Sequence, residues 1–233
     1  MSCDRSGVVI VFAKAPRPGR VKTRLSPPWS LRQAADFYAA MLCDVLSATA
    51  EFAGALDLDA VIAVDPWNLR DAVAAVTPAR FRLIPQRGAD LSSRMSWAVR
   101  EVAGSGARRI LLRGSDNPTL DEASLREALE ALAECDLVLQ PGRDGGYGLV
   151  GLGAPAPGLF DHPMSSASVL EDTLANARRM GLRPRVTEPG FDIDWPDDLD
   201  QLAAARAAGA CVTCPRTLAF LDDNGLWPAA VPD

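Results

Sequence analysis

Val8, Val9, Ile10, Val11 and Phe12 form an unbroken β-branched and aromatic run. A run without alternation has no polar face to give to water, so it reads as a central strand covered on both sides. A sheet covered on both faces needs helices on each, which narrows the chain to a layered α/β fold. Directly after this strand the chemistry changes. Residues 14–24 supply Lys14, Arg17, Arg20, Lys22 and Arg24 with no acid among them, interrupted by Pro16, Pro18 and Gly19. Cations this close repel one another unless anions lie between them. The prolines stiffen the loop and Gly19 permits close backbone approach, so the segment is equipped to grip phosphate. A solvated basic loop is the plainer alternative. It is not a Walker A loop, because the G-x-x-x-x-G-K-[ST] spacing is missing.

Composition bounds what surrounds that loop. At 233 residues and 48% hydrophobic, the chain can bury the core of one large α/β domain. We expect that domain to span residues 1–208, with an Ala-, Pro- and Asp-rich appendage at 209–233. The formal net charge of −6 argues against general nucleic-acid binding, which needs a basic face. The basic loop is then a local exception in an acidic protein. No apolar run approaches the roughly 20 residues of a membrane helix, and Met1 to Gly7 lacks the apolar core of a signal peptide. Five cysteines at scattered positions fit a reducing compartment. The expectation is a cytoplasmic protein without a membrane partner.

Strand and helix signals alternate along the chain. Ser30 with Gln33 forms a capping box opening an amphipathic helix through Thr49. Residues 60–64 and 80–85 read as strands, with a short helix between them at about 69–76. Asp90 or Ser92 can cap a helix carrying Met95, Ala98, Val99 and Val102 on its apolar side. Residues 109–112 form a fourth buried strand running into Gly114, Ser115 and Asp116. Thr119 with Glu122 suggests another capping box. Residues 137–139 and 149–152 read as further strands, and a helix over about 168–180 ends at Gly181. Such alternation predicts a mostly parallel sheet with helices on both faces and ligands at the carboxyl ends of its strands. The loops at 13–25, 86–92, 114–119 and 141–148 each follow a predicted strand, so they can converge on one cleft.

Carboxylates at strand ends suggest a metal. Asp116 directly follows a buried strand. Asp192 and Asp194 alternate, so on extended backbone both point to one side and either can approach Asp116. Magnesium is typically held by one or two protein carboxylates with phosphate oxygens and waters, so two aspartates beside a basic loop suffice. Helix caps and surface charge are the competing explanation.

The blocks KAPRPGRVKTRL, QRGADLSSRM, LLRGSDNPTL, PGRDGGYGLVGL and FDIDWPDDL, in that order, resemble a bacterial family of GT-A-fold proteins usually labelled glycosyltransferases, some tied by name to arsenosugar biosynthesis. More distantly, they are similar to the nucleotidyltransferases that guanylylate phospholactate or the molybdenum cofactor, in the nucleotide-diphospho-sugar transferase superfamily. The resemblance covers roughly residues 7–205. It implies a Rossmann-like three-layer α/β/α fold with a mostly parallel sheet. It also implies Mg2+ or Mn2+ on Asp116 and Asp194. Lys22 and Arg24, near Arg20, match positions that contact donor phosphates, and Lys22, Arg24 and Asp116 are the catalytic candidates. Ala13, Lys14, Gly19, Gln86 and Gly88 fall on the donor side, and Asp144, Gly145, Gly146 and Tyr147 match the turn facing the acceptor. Met164 to Ala167 depart from the tryptophan, serine and threonine expected there, which points to an atypical acceptor.

Two reactions follow. In nucleotidylyl transfer an acceptor phosphate or phosphonate attacks the α-phosphorus of an NTP, and the density of cations after the first strand favours this one. In glycosyl transfer an NDP-sugar is the donor and Asp144 is the candidate base. A non-catalytic nucleotide-binding module is a third reading. His162 is the sole histidine, which argues against a histidine-based triad or zinc site. Cys211 and Cys214 form a C-x-x-C with no second pair, a weak signal.

Overall fold

The computed structural model describes residues 7–164 and 166–228. Within them the strands are β1 (Gly7–Lys14), β2 (Asp59–Asp65), β3 (Phe81–Pro85), β4 (Arg109–Gly114), β5 (Leu137–Pro141), β6 (Tyr147–Leu152) and β7 (Pro184–Val186). The helices are α1 (Leu31–Ala55), α2 (Arg70–Ala74), α3 (Leu91–Gly104), α4 (Glu122–Ala131), α5 (Val169–Arg179), α6 (Asp198–Ala207) and α7 (Pro215–Asn224). The sheet order is β3-β2-β1-β4-β6-β5-β7. All neighbours pair in parallel except β6, which runs antiparallel to both β4 and β5.

The unbroken apolar run of β1 lies in the middle of this sheet and is buried from end to end. Its side chains alternate between two cores. Val9, Val11 and Ala13 pack with α1, α2 and α4, whereas Val8, Ile10 and Phe12 pack with α3 and α5. This is the three-layer α/β/α arrangement. The second face of α1, with Phe37 and Met41, builds a third core with Trp29, Ile193, α6 and α7. A buried carboxylate fastens α7 there: Asp44 on α1 accepts from the Thr217 amide (2.7 Å), the Thr217 hydroxyl (2.8 Å) and the Arg216 amide (3.2 Å).

The caps at Ser30 and Asp90 form as capping boxes, and Gly181 follows α5 with φ of 73°. One cap moves. Asp121, not Thr119, caps α4, accepting from the Ser124 amide at 2.9 Å. Thr119 instead gives its amide and hydroxyl to Asn117 Oδ1. Among the described residues no helix is long and apolar enough to cross a membrane.

Candidate active site at the carboxyl ends of β1 and β4

β1 is flanked by β2 on one side and β4 on the other, so chain connections leave it in opposite directions. In open α/β sheets that reversal opens a crevice at the strands' carboxyl ends. Phe12 pairs in register with Gly114, so the loop after β1 and the loop after β4 emerge side by side. Tyr38 of α1 ties them together: its buried hydroxyl accepts the Lys14 amide at 3.0 Å and pairs with Ser115 Oγ at 2.8 Å. Burial pushes this phenol well above its usual pKa. From the other side, the Ile193 amide donates to the Asp116 carbonyl at 2.9 Å, joining the FDIDWPDDL segment to the β4 loop. Asp198 in turn accepts the amides of Asp194 and Trp195, fixing the bend that carries Asp194.

At the centre lies Lys22. Its side chain is only 2% exposed, and its ammonium sits 2.5 Å from Asp116 and 2.8 Å from Asp194. Burial works against the charge, but the two carboxylates outweigh it and hold the lysine pKa above its usual value. Its backbone is left-handed, with φ 47° and ψ 36°, a conformation costing a non-glycine residue about 1–3 kcal/mol. The short 3-10 turn Thr23–Leu25 follows at once, with Leu25 buried as its anchor. Backbone strain here is the means of turning a loop lysine inward.

The neighbours of this ion triad are themselves perturbed. Loss of water, followed by the Asp116 charge, pushes the Asp192 carboxyl up to about 7. Burial also disfavours the Asp194 carboxylate, yet Lys22, with Arg24 and Lys14, holds it below the usual range. Arg24 approaches Asp194 at 3.5 Å and stacks over Trp195, 5.0 Å from the ring centre. Beneath the loop, Arg113 is fully buried; burial lowers its pKa to about 10, with Asp192 opposing the shift. It donates to the Asn117 carbonyl (2.6 Å) and to Thr49 Oγ1 (3.1 Å), which shapes the turn that presents Asp116.

Two cavities open on these groups. One, of about 480 Å³, is lined by Ala13, Lys14, Arg20, Lys22, Arg24, Gln86, Asp116 and Asp194. The other, of about 520 Å³, is lined by Asp144, Gly146 and Tyr147 among others. They share a wall of Phe12, Arg24, Leu91, Gly114, Tyr147, Gly148 and Asp192. Residues expected on the donor side and on the acceptor side thus face adjoining spaces. Three expected residues stand outside both linings. Gly19 lies at the outer bend of its loop, the Gly88 carbonyl accepts from Arg94 Nε at 3.1 Å, and Gly145 packs on the 167–170 segment. Gln86 has its amide nitrogen committed to the Ala13 and Ala63 carbonyls (3.1 and 2.9 Å), which leaves only its oxygen for a ligand. Asp144 Oδ1 accepts the Gly146 amide at 2.9 Å, closing the turn.

Asp116 and Asp194 already converge on one cation, the Lys22 ammonium, and their donors are hard oxygens, the chemistry that suits Mg2+. Among the described residues no set of three or more Asp, Glu, His or Cys side chains is arranged to hold a metal. The pair therefore fits a cation whose remaining ligands come from phosphate and water. Tyr38, Ser115 and Arg113 carry no site role in the sequence reading. Their signal was faint: a tyrosine inside an amphipathic helix, and an arginine inside an apolar strand.

Residues 48–166 match the bacterial family described as "Uncharacterized protein conserved in bacteria (DUF2064)". The 2-phospho-L-lactate guanylyltransferase of Halorubrum lacusprofundi is 30% identical over 207 residues, covering 83% of this chain and 82% of that one. The phosphoenolpyruvate guanylyltransferase of Chloroflexus aggregans is 28% identical over 170 residues, 70% of this chain and 80% of that one. A crystal structure from Desulfovibrio desulfuricans G20, named for the nucleotide-diphospho-sugar transferases, superposes with a TM-score of 0.85 at 26% identity. It covers 95% of this chain and 96% of that one. The matched segment runs from the middle of α1 to the acceptor-side cavity and takes in the Asp116 loop, and over it the chain belongs to the bacterial DUF2064 family.

Proposed function

We propose that this protein is a nucleotidylyltransferase that joins an NTP to a phosphorylated small-molecule acceptor and releases pyrophosphate. One observation carries the reading: Lys14, Arg20, Lys22 and Arg24 line the same cavity as Asp116 and Asp194, beside a second cavity of comparable size. With Lys22 held between the two aspartates, Lys14, Arg20 and Arg24 remain to meet phosphate, a charge that suits a triphosphate. The guanylyltransferase names of the relatives make GTP the first donor to test.

In the reaction an acceptor phosphate oxygen bonds to the α-phosphorus. The bond from that phosphorus to the α,β-bridging oxygen breaks, and the electron pair leaves on pyrophosphate. The acceptor is already ionised, so no general base is required. Lys14 and Arg20 take the outer phosphates, and Arg24 stands at the wall between the cavities, where charge builds as the bonds exchange. Asp116 and Asp194 would hold Mg2+ or Mn2+, which would supply positive charge against the donor phosphates. Lys22 keeps the two carboxylates together at fixed separation.

Product analysis tests this. With magnesium and each of the four NTPs, donor consumption should release pyrophosphate, and Asp116→Asn should lower the rate by about 10²–10³. Release of a nucleoside diphosphate from an NDP-sugar, with no use of any NTP, would instead make it a glycosyltransferase, with Asp144 at the acceptor turn as base.

A further inference from the structure

The acceptor-side cavity differs in character from the donor side. Met95, Leu112, Val150, Met164, Ala167 and Val169 line it with apolar side chains, Ser166 adds one hydroxyl, and Arg24 is the one cation among its described lining residues. That arginine already faces Asp194 and lies over Trp195. The other ionisable groups in the lining are the carboxyls of Asp144 and Asp192. At the mouth, Leu91 and Trp195 are 45% and 53% exposed. Large apolar side chains left open beside an apolar cavity are covered when a ligand body fills it.

We propose that this cavity takes a phosphorylated acceptor whose remaining body is uncharged and apolar, an alkyl or aryl group, and disfavours phosphates that also carry a carboxylate. The inference rests on the nucleotidyl-transfer reading for its reaction, but its selectivity is a property of the cavity alone. A phosphate at the shared wall meets Arg24. A carboxylate further in would meet Asp144, Asp192 and a wall of methionine and valine, with no cation to pair it, and burying an unpaired charge is costly. An alkyl body gains there for each methylene removed from water. The selectivity therefore departs from the phosphoenolpyruvate and phospholactate for which the relatives are named.

Calorimetric titration of the full-length protein without nucleotide tests it, using ethyl, butyl and hexyl phosphate against phosphoenolpyruvate. Affinity should rise about threefold to fourfold per added methylene, and hexyl phosphate should bind at least tenfold more tightly than phosphoenolpyruvate. Leu91→Glu, at the exposed first position of α3 where an acid is tolerated, should weaken hexyl phosphate at least fivefold with its melting midpoint unchanged. A flat chain-length series, or phosphoenolpyruvate binding as well as hexyl phosphate, would overturn the proposal. Should the series hold while no NTP is consumed in a separate pyrophosphate-release assay, the cavity assignment stands and nucleotidyl transfer falls.

Discussion

Lys22 concentrates the account in one side chain. A buried ammonium between two carboxylates offsets the repulsion of Asp116 and Asp194 across the cleft, with Arg24 adding a second contact to Asp194 at 3.5 Å. Lys22→Met should cost about 1–3 kcal/mol in urea unfolding, below the value for a fully buried pair because the aspartates are partly solvated. The same variant leaves Asp116 and Asp194 without their shared ammonium, so magnesium should raise its melting temperature more than it raises that of the wild type. An equal shift in both proteins would mean that the pair does not bind the ion. Arg113 makes the opposite case. It is a buried cation that faces Asp192 and spends its hydrogen bonds on Asn117 and Thr49. Arg113→Met removes the burden of a buried charge but orphans those acceptors. The net should be a loss of about 1–2 kcal/mol, together with faster proteolysis in the 114–119 loop.

At the scale of elements, the turn between β5 and β6 is the most tightly constrained. Gly145 has φ of 83°, and a Cβ there would lie 2.0 Å from the Ala167 carbonyl oxygen. Gly145→Ala should therefore destabilise by more than about 1 kcal/mol and widen the acceptor cavity, seen as a weakened alkyl phosphate titration. The α4 cap separates two registers. Asp121→Ala should cost about 1 kcal/mol in thermal unfolding and Thr119→Ala much less, whereas equal effects would return the cap to Thr119. The local signals in the sequence were legible where a side chain bonds its own backbone: Ser30 with Gln33, and Asp90 with Ser93. They misled at Thr119, whose spacing to Glu122 copies a capping box while Asn117, two residues earlier, captures its hydroxyl. The three-residue edge strand β7 carries no periodicity long enough to detect, and α7 follows a stretch of mixed composition that hid its docking on Asp44.

For the whole molecule, the VVIVF run was the most informative stretch, because a strand with no polar face can occupy only the middle of a covered sheet. Its position decides that the loops after β1 and β4 meet, and so which charges share a cavity. The sequence could place Asp116 and Asp194 as carboxylates near a basic loop, yet not the sign of φ at Lys22, whose ammonium lies against both carboxylates. Nor could it divide the space into a cation-rich cavity and one whose apolar side chains lie beside two carboxyls, since that division is made by side chains from separate segments of the chain.

The most direct measurement is a thermal-shift panel with magnesium, comparing the four NTPs, their NDPs and a set of NDP-sugars on wild type and Asp116→Asn. Binding to the native state stabilises it by about 2.7 kcal/mol at a ligand concentration of about 100 times Kd. The account predicts that one NTP, GTP first among them, raises the wild-type midpoint most, and that Asp116→Asn loses that rise. A larger rise with an NDP-sugar than with any NTP would contradict it.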